Sequence, residues 1–374
     1  MKDLFFLIWH RWKPFQPLPV SLLAGQSPRR LLVAQLQNLG DSLVTTPLVR
    51  ALRRGFPSAR IDVLVNKNSQ AVYERNPDVN ECLLLSSWQR GLVRWADFFR
   101  LLPELRRRKY DWILFDGSAV AFSYGLLAWT AGIPVRLGFD WRHRGILFTH
   151  TLPLPGPEST DSMVTINLGL CQALGIPAVE PSPIFPVITE ERNRVMTRLQ
   201  KEAGPQRRPM VVIHPGSNWP SNFWMPERFV EISQWLIHAY RAVVVFVGSP
   251  GELLPYQKLF AAHRSVLNWE GRTTLGELAA LFEMADAVVT LGSGPSHLAA
   301  AVGATTLVLR SAEQPRDRWD YHQPHYESLY KHVPCSPCES VRCRNFFRPM
   351  WCMKLITVED VKAALTRVLQ KRAT

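Results

Sequence analysis

The feature that most constrains the fold is an alternation of apolar runs and helical patterns that begins at Arg29. Residues 31–36 form an apolar run typical of a buried strand, and residues 38–41 have the composition of a turn. Apolar side chains then recur at helical spacing, and IDVLVN supplies the next strand. The sequence therefore predicts a β-α-β unit. Further strands and helices follow in the same order, which is typical of a parallel sheet covered on both faces.

The alternation restarts in the second half of the chain, after a stretch rich in proline. The 374 residues exceed what one core usually fills, and the prolines of residues 181–186 mark a connection with few backbone hydrogen bonds. PMVVIHPG, RAVVVFVGSPGE and DAVVTLGSGPS are then typical of strands followed by loops. We therefore expect an N-terminal segment of residues 1–28, a first domain of residues 29–183 and a second domain of residues 184–374.

The composition indicates a folded and strongly basic protein. Hydrophobic residues make up 47% and charged residues 20%, which excludes a disordered chain. The formal net charge of +13 favours anionic partners, namely nucleic acid, phosphosugars or an anionic membrane. Because the arginines are scattered among apolar segments and form no long basic tail, we expect a basic protein face and no nucleic-acid partner.

The N-terminus contains an apolar run of six residues, from Leu4 to Trp9, that is closed by cations. This run is too short to span a bilayer, and no small-residue cleavage site follows it. Its aromatic and basic residues suit a helix in the membrane interface, and they equally suit a helix packed on the protein. The lack of an export signal indicates a reducing compartment, which disfavours disulfides.

Three polar loops follow predicted strands, which is where open α/β sheets bind their ligands. In the first loop, Gly40 allows a tight turn into the helix and leaves Asp41 at the helix start, with its carboxylate towards a cleft. Asp41 is either a ligand-facing group or only a helix cap, since aspartate is common at this place.

The second loop contains Ser217 and Ser221, whose hydroxyl groups would add to free backbone N–H groups around an anion. An ordinary strand-to-helix turn has the same composition. Glu252, after the next strand, could accept hydrogen bonds from a ribose diol. In the third loop two glycines precede His297 and a helix of small residues, which allows close approach to a ligand, although a lone histidine is often structural.

Six cysteines fall into two groups. Cys82 and Cys171 lie in apolar or helical contexts, where we expect buried and unreactive thiols. The remaining cysteines have the spacing C-x2-C-x4-C-x8-C, which is compatible with a tetrahedral zinc or iron site, with free buried thiols or with a disulfide. They are Cys335, Cys338, Cys343 and Cys352.

Four segments, in this order, resemble glycosyltransferase family 9, the ADP-heptose:lipopolysaccharide heptosyltransferases. They are LLVAQLQNLGDSLVTTPLVRALRRGFPSARIDVLV, VVIHPGSNWPSNFWMPERF, SGPSHLAAAVGATTLVL and CSPCESVRC with CMKLITVEDV. The resemblance covers nearly everything from Arg29 to the C-terminal helix. It implies a GT-B fold, in which two Rossmann-like parallel-sheet domains face a central cleft, with the acceptor on the first domain and the nucleotide-sugar on the second.

The resemblance also implies an inverting reaction that needs no metal, so that any metal at the cysteines would be structural. Asp41 matches the base that deprotonates the acceptor hydroxyl, and amide and basic groups would stabilise the leaving diphosphate. Glu252 would contact the ribose. The remaining residues implied on the acceptor side are Asn38, Gly40 and Ser42, and those implied on the donor side are Ser217, Asn222, Gly292, Ser293, Gly294 and His297.

The chain departs from the family pattern at two of these positions. Asn222 stands where the family usually has a lysine, and Gly292 stands where it usually has an acid. These departures leave open another nucleotide-sugar, a different glycan or protein acceptor, or a non-catalytic binding protein. Arg310 and Arg316 are candidates for compensating cations.

The resemblance implies a heptose donor, ADP-heptose, and an acceptor on the lipopolysaccharide core with its lipid A. Such an acceptor is an anionic glycolipid of the inner membrane. Together with the basic surface and the aromatic N-terminus, it predicts a cytoplasmic enzyme bound peripherally to the inner-membrane surface.

Overall fold

The computed structural model describes residues 17–85, 88–89, 92–93, 95–118, 122–140, 145, 147–156, 158–204 and 208–373. The chain forms two compact domains. The first holds the described residues before 157 and Asp161–Pro183, and the second holds residues 158–160 and all described residues from Ile184 onwards. The predicted interfacial run of Leu4 to Trp9 lies outside the described residues.

The first domain is a parallel sheet with helices between its strands. Its strands are β1 (Leu18–Pro19), β2 (Arg30–Gln35), β3 (Arg60–Asn66), β4 (Glu81–Leu85), β7 (Trp112–Phe115), β8 (Val135–Asp140) and β9 (His150–Pro153). A separate antiparallel pair consists of β5 (Trp88–Gln89) and β6 (Leu92–Val93). The helices are α1 (Leu39–Gly55), α2 (Gln70–Glu74), α3 (Trp95–Arg108), α4 (Phe122–Thr130) and α5 (Met163–Ala173). The strand order is β1-β9-β8-β7-β2-β3-β4, and every neighbouring pair is parallel.

Strand β2 lies inside this sheet because its central residues, Leu31 to Ala34, are apolar on both faces. Every residue of β2 except Arg30 is buried, and Val33 pairs with Val63 on one side and with Leu114 on the other. A strand covered by helices on both faces needs such a continuous apolar run. The apolar run of residues 31–36 thus predicted β2 to within one residue.

The second domain repeats this architecture. Its strands are β10 (Met210–His214), β11 (Val243–Phe246), β12 (Val266–Asn268), β13 (Ala287–Leu291), β14 (Thr306–Arg310) and β15 (Tyr326–Tyr330). The helices are α6 (Thr189–Ala203), α7 (Pro226–Tyr240), α8 (Gln257–Ala262), α9 (Leu275–Met284), α10 (Gly294–Ala301), α11 (Trp351–Lys354) and α12 (Val358–Ala373). The order is β12-β11-β10-β13-β14-β15, again with only parallel neighbours.

The C-terminal helix α12 closes the core of the second domain. Thr357 caps it, since its Oγ1 accepts a hydrogen bond from the backbone N of Asp360 at 3.1 Å, as the sequence predicts. Buried Trp224 donates from Nε1 to the carbonyl of Ile356 at 2.9 Å and packs edge-on against Phe229. Trp224 therefore packs within the domain core. Among the described residues, no helix combines the length and the apolar character needed to cross a bilayer.

Candidate active site

Each large sheet contains one place where the strand order reverses. In the first domain the chain passes from β2 outwards to β3 and β4 and then returns to β7, on the other side of β2. In the second domain it passes from β10 outwards to β11 and β12 and then returns to β13. In open parallel sheets, ligands bind outside the carboxyl ends of the two strands at this reversal. The side chains that follow β2, β7, β10 and β13 are therefore the candidate site residues.

Asp41 lies in the first turn of α1, directly after the loop that leaves β2. Asn38 is the N-cap residue of this helix, and its backbone N donates to Asp41 Oδ2 at 3.1 Å. Asp41 thus contributes to the helix cap, and its carboxylate is only partly exposed. Burial, and secondly the nearby carboxylate of Asp116, raise the pKa of Asp41 to about 7. A carboxylate with a pKa near neutrality can both accept and release a proton at physiological pH.

Asp116 follows β7 and is fully buried beside the loop of Asp41. Its Oδ2 accepts hydrogen bonds from Gln35 Nε2 and from Thr45 Oγ1, each at 2.5 Å. Its Oδ1 accepts from the hydroxyl of Ser118 at 2.8 Å and from the backbone N of Ser118 at 3.1 Å. Four donors favour the ionised form of a buried carboxylate. The first domain therefore places the carboxylate of Asp116 next to Asp41, whose pKa it helps to raise.

Sequence reasoning missed Asp116, although one signal was present. The residue directly follows the strand WILF, so it had the same strand-end position as the three loops that were singled out. Asp116 is close to Asp41 because β7 pairs with β2. The residues next to Asp116 in the sequence do not reveal this pairing.

The other predicted acceptor-side residues differ in exposure. Asn38 is exposed, whereas Gly40 and Ser42 are buried. Within the described chain, Ser42 Oγ has no hydrogen-bond partner. The preceding loop is held in place by Asn66 Nδ2, which donates to the carbonyl of Gln37 at 2.6 Å.

In the second domain, Glu252 lies across the ends of β10 and β11. A Cβ atom on Gly216 would lie 2.5 Å from Glu252 Oε2, so the carboxylate occupies the space that only glycine leaves free. The backbone N of Ser249 donates to the same oxygen at 2.8 Å. His214 Nε2 is 3.9 Å away, and burial lowers the pKa of His214 to about 4, which keeps this ring neutral. Ser217 Oγ accepts from the backbone N of Trp219 at 3.1 Å.

The loop of Gly292, Ser293 and Gly294 connects β13 to α10. Ser293 Oγ donates to the carbonyl of Gly216 at 3.5 Å, so the loops after β10 and β13 touch. His297 is buried in the first turns of α10, and its Nδ1 is 2.6 Å from the hydroxyl of Tyr321. Burial, and secondly Arg310, lower the pKa of His297 to about 3, so the ring is neutral.

Asn222 joins two neighbouring loops from inside the domain. It is 3% exposed, its Nδ2 donates to the carbonyl of Gly292 at 3.0 Å, and its Oδ1 accepts from the hydroxyl of Ser311. Both polar atoms of the amide are therefore engaged within the protein. Asn222 carries no positive charge and is held by these contacts, so it does not replace the cation that a lysine would supply.

Arg310 lies against Gly292 and is already paired. A Cβ atom on Gly292 would be 3.2 Å from Arg310 Nη1, and Arg310 Nη2 lies 2.6 Å from Asp320 Oδ1. Both members of this ion pair are buried. The guanidinium predicted as a compensating cation is therefore neutralised by Asp320, whereas Arg316 is exposed.

The four clustered cysteines line one small cavity of the second domain, together with Ser311 and Glu313. Asn345 Nδ2 donates to Cys335 Sγ at 3.6 Å, and the backbone N of Met350 donates to Cys343 Sγ at 3.3 Å. In the described parts of the chain, no three His, Cys, Asp or Glu side chains are already arranged around one point as metal ligands. By contrast, burial raises the pKa of both Cys82 and Cys171 to about 12, as expected for unreactive thiols. Cys171 is buried as predicted, whereas Cys82, on strand β4, is only partly buried.

Comparison with known proteins identifies the family to which the chain is similar. A sequence profile described as glycosyltransferase family 9 (heptosyltransferase) matches residues 98–346. The chain is 29% identical to lipopolysaccharide heptosyltransferase 3 of Escherichia coli over 287 residues, which are 73% of this chain and 81% of the relative.

Solved structures show the same fold. The structure of E. coli ADP-heptose lps heptosyltransferase II superposes with a TM-score of 0.73 at 22% identity, over 92% of this chain and 100% of that one. A more distant match is the dodecameric iron-containing heptosyltransferase TibC of enterotoxigenic E. coli in complex with ADP-D-beta-D-heptose. Its TM-score is 0.54 at 14% identity, over 96% of this chain and 78% of that one. The two parallel-sheet domains are those of the GT-B heptosyltransferases.

Proposed function

Because this chain belongs to glycosyltransferase family 9, we propose that it transfers a heptose from ADP-heptose to an inner-core acceptor of lipopolysaccharide, with inversion at the anomeric carbon. The family makes it a glycosyltransferase of the heptosyltransferase type, and its relatives are named for lipopolysaccharide. The donor is taken from the E. coli relative whose name includes ADP-heptose.

The observation that carries the proposal is the position and pKa of Asp41. The carboxylate lies at the strand reversal of the first domain, and its pKa of about 7 suits a general base. In the proposed step, Asp41 takes the proton of the acceptor hydroxyl as that oxygen attacks the anomeric carbon. The bond from this carbon to the diphosphate oxygen breaks, and ADP leaves with the bonding electron pair.

The donor is proposed to bind at the strand reversal of the second domain. Backbone N–H groups of the loop after β10 and of the first turn of α10, together with the Ser217 hydroxyl, would face the diphosphate. Glu252 would accept hydrogen bonds from the ribose, as its half-buried carboxylate beside Gly216 permits. In this scheme protein donors alone stabilise the leaving group, and no metal takes part in the transfer.

Substitution of the proposed base tests this function. Asp41→Asn keeps an oxygen that can cap α1 and removes the proton acceptor, so we expect transfer from ADP-heptose to a purified core acceptor to fall by about 100-fold or more. Donor binding, measured by calorimetry, and thermal stability should remain near those of the wild type. Equal transfer rates for Asp41→Asn and an active wild type would exclude Asp41 as the base.

Asn222 and Gly292 support a second candidate within the same fold. Neither carries the charge usual in the family, and Asn222 is fully engaged by Gly292 and Ser311. The chain could use another nucleotide-sugar, modify a different glycan or a protein, or bind such ligands without turnover. A screen of ADP-, GDP- and UDP-sugars with one core acceptor distinguishes these cases. Turnover with a non-heptose donor alone would replace the heptosyl proposal, and donor binding without any turnover would favour a binding protein.

We propose further that the enzyme works on the cytoplasmic face of the inner membrane and binds it peripherally. The proposed acceptor is an anionic glycolipid, and the net charge of +13 favours an anionic surface. Cell fractionation tests this location, because a peripheral protein should sediment with inner membranes at low salt and leave them at high salt.

The cysteine cluster is proposed to hold a structural zinc or iron ion. The residue types suit either metal, because four cysteines on one cavity can supply a tetrahedral thiolate shell. Metal binding would have to draw the thiols together, since no three of the described side chains already converge on one point. The iron-containing relative TibC supports iron as one candidate. When bound, the metal would crosslink the loop of residues 335–352. Metal content of the purified protein and the melting temperature with and without chelator provide the test, with Cys338→Ser as the site variant and Cys82→Ser as its control.

A further inference from the structure

Two neighbouring phenylalanines lie fully in solvent on the second domain. Phe346 is 91% exposed and Phe347 is 94% exposed. Among the exposed large apolar side chains of the described residues, the next is Leu254 at 67%. Scattered apolar side chains are normal on a surface, but two adjacent and almost completely exposed aromatic rings are the kind of feature that marks an interaction site.

The loop that carries these rings is fixed by hydrogen bonds at its base. The backbone N of Arg348 donates to Asn345 Oδ1 at 2.9 Å, which closes a turn with the two phenylalanines at its tip. The Asn345 amide also reaches Cys335 Sγ at 3.6 Å, and the carbonyl of Val341 accepts from the backbone N of Ser221 at 3.1 Å. The protein therefore holds both rings outwards on an ordered turn.

Three exposed arginines flank this tip along the chain, namely Arg342, Arg344 and Arg348. None of them forms an ion pair within the described chain, although other exposed arginines such as Arg107 and Arg194 do. Arg348 lies over the ring of Trp351 at 4.5 Å, which orients its guanidinium without neutralising it. The tip thus combines two exposed aromatic rings with three positive charges that form no ion pair within the described chain.

We propose that this loop, residues 341–349, is a membrane-binding loop whose two phenylalanine rings enter the interface of an anionic phospholipid bilayer. Aromatic rings bind favourably at the depth of the lipid headgroups, and guanidinium groups bind phosphates with paired hydrogen bonds. Each arginine near an anionic surface adds to the attraction. The apolar and the cationic parts of the loop therefore act on the same target.

A lipid surface fits this loop better than a protein partner does. A stable protein interface buries about 800 Å² on each side and has an apolar centre within a broad face. Here the exposed apolar part of the loop consists of the two rings at the tip and the half-exposed side chain of Val341, and positive side chains adjoin it. Such a tip can insert into a fluid interface without a matching pocket.

This inference rests on the proposed peripheral binding to the inner membrane, and it identifies the segment responsible. It makes no use of the transfer reaction. Lipid vesicles without any glycolipid acceptor should therefore bind the protein, which separates the membrane-binding loop from the acceptor site.

Flotation of the full chain with vesicles provides the test. We expect binding to vesicles of equal phosphatidylglycerol and phosphatidylethanolamine at low salt, and much weaker binding to phosphatidylcholine vesicles. The double substitution Phe346→Ser with Phe347→Ser should lower the partition coefficient by at least about tenfold. Replacement of the three arginines by glutamine should lower it by about 100-fold, since each charge contributes about fivefold. Phe99→Ser is the matched control, because Phe99 is 65% exposed on the first domain.

Three results would overturn the inference. They are a wild type that does not float with anionic vesicles, a loss of binding in Phe99→Ser equal to that of the loop variant, and unchanged flotation of the loop variant. If the loop variant instead changes only the oligomeric state in light scattering, the loop is an interface between copies of the chain.

Transfer to a delipidated, water-soluble core acceptor separates the two proposals. The phenylalanine variant should retain the wild-type rate on that acceptor and lose rate only on acceptor embedded in vesicles. A wild type that binds vesicles but transfers no sugar would contradict the proposed function and leave the membrane-binding loop supported.

Discussion

The buried carboxylate of Asp116 should raise the pH at which the proposed base Asp41 becomes active. The substitution Asp116→Asn removes this charge and keeps the size of the side chain. The amide oxygen can still accept from Ser118 or Thr45, which hold the carboxylate in the wild type. The change therefore tests the charge of Asp116 more than its volume.

The expected shift follows from the short distance between the two aspartates. Thr45 Oγ1 is 2.9 Å from the backbone carbonyl oxygen of Asp41 and 2.5 Å from Asp116 Oδ2. The backbone oxygen of Asp41 and the carboxylate oxygen of Asp116 are therefore at most 5.4 Å apart. Two unit charges about 5 to 10 Å apart repel by about 2 to 3 kcal/mol at an effective dielectric constant of about 20. Since one pH unit is about 1.4 kcal/mol, the pKa of Asp41 should fall by about one to two pH units. Burial, which is the larger cause of the raised pKa, remains in the variant.

The pH dependence of kcat/KM for glycosyl transfer measures this shift. In the wild type the base must lose its proton, so kcat/KM should rise with pH and level off above the Asp41 pKa of about 7. In Asp116→Asn the same rise should occur about one to two pH units lower. Tyr73 also faces both carboxylates, but burial raises its pKa well above 10.0, so it does not titrate in this range.

Asp62→Asn is the matched control. Asp62 is also a fully buried aspartate of the first domain, and it is bound by Arg60, Arg108 and Tyr110. Its substitution should lower stability without moving the acid limb of the profile. An acid limb that stays in place in Asp116→Asn, or that moves to higher pH, would refute the proposed coupling.

Two further predictions concern the second domain. Gly216→Ala should raise the KM for the nucleotide-sugar by about tenfold with little change in kcat, because its Cβ would lie 2.5 Å from Glu252 Oε2 and displace the proposed ribose ligand. Gly169→Ala is the control, because a Cβ at Gly169 meets no atom within 4 Å. Equal KM values for the two variants would contradict the role of Glu252. Asp320→Asn should destabilise the fold by about 3 to 5 kcal/mol, because it leaves Arg310 buried without its counter-ion, and calorimetry should show a melting temperature about 10 °C lower. The comparison is the half-exposed ion pair of Arg367 and Glu327, where Glu327→Gln should change the melting temperature little. Similar losses of stability in Asp320→Asn and Glu327→Gln would argue against a special cost of leaving Arg310 unpaired.

The main strands could be predicted from sequence because they depend on local patterns. A parallel strand covered on both faces requires a nearly continuous apolar run, as residues 31–36 provide for β2 with Gln35 as the one polar member. The edge strand β1 could not be predicted in this way. It consists of Leu18 and Pro19 alone, both exposed, and exists because it pairs with His150 and Thr151 far along the chain. Short edge strands depend on such contacts more than on their own composition.

The candidate sites show the same division between local and distant information. Asp41 stood out because it follows a turn that contains Gly40 at the start of a helix. Its raised pKa was not predictable, since it depends in part on Asp116, which a separate strand brings close. The pairing of Arg310 with Asp320 was missed for the same reason. Residue type predicts what chemistry a side chain can perform, and the sheet order decides which side chains meet.

Asn222 shows why a departure from a family pattern has to be interpreted from its contacts. In this chain the amide connects the carbonyl of Gly292 with the hydroxyl of Ser311, inside a pocket where burial also raises the pKa of Glu313 to about 7. Asn222→Asp keeps the shape but places an oxygen against the Gly292 carbonyl and a second carboxyl beside Glu313. We therefore expect a loss of about 2 to 4 kcal/mol in the free energy of unfolding.

The same substitution should raise the KM for the donor, because Gly292 belongs to the loop proposed to face the sugar-diphosphate. Asn222→Ala is the companion variant, since it removes both hydrogen bonds without adding a charge and should cost about 1 to 3 kcal/mol. Denaturant unfolding and donor titration measure the two effects separately. If Asn222→Asp loses donor affinity at unchanged stability, Asn222 acts on the ligand directly and not by holding the Gly292 loop. The amide would then be a direct substitute for the lysine of the family.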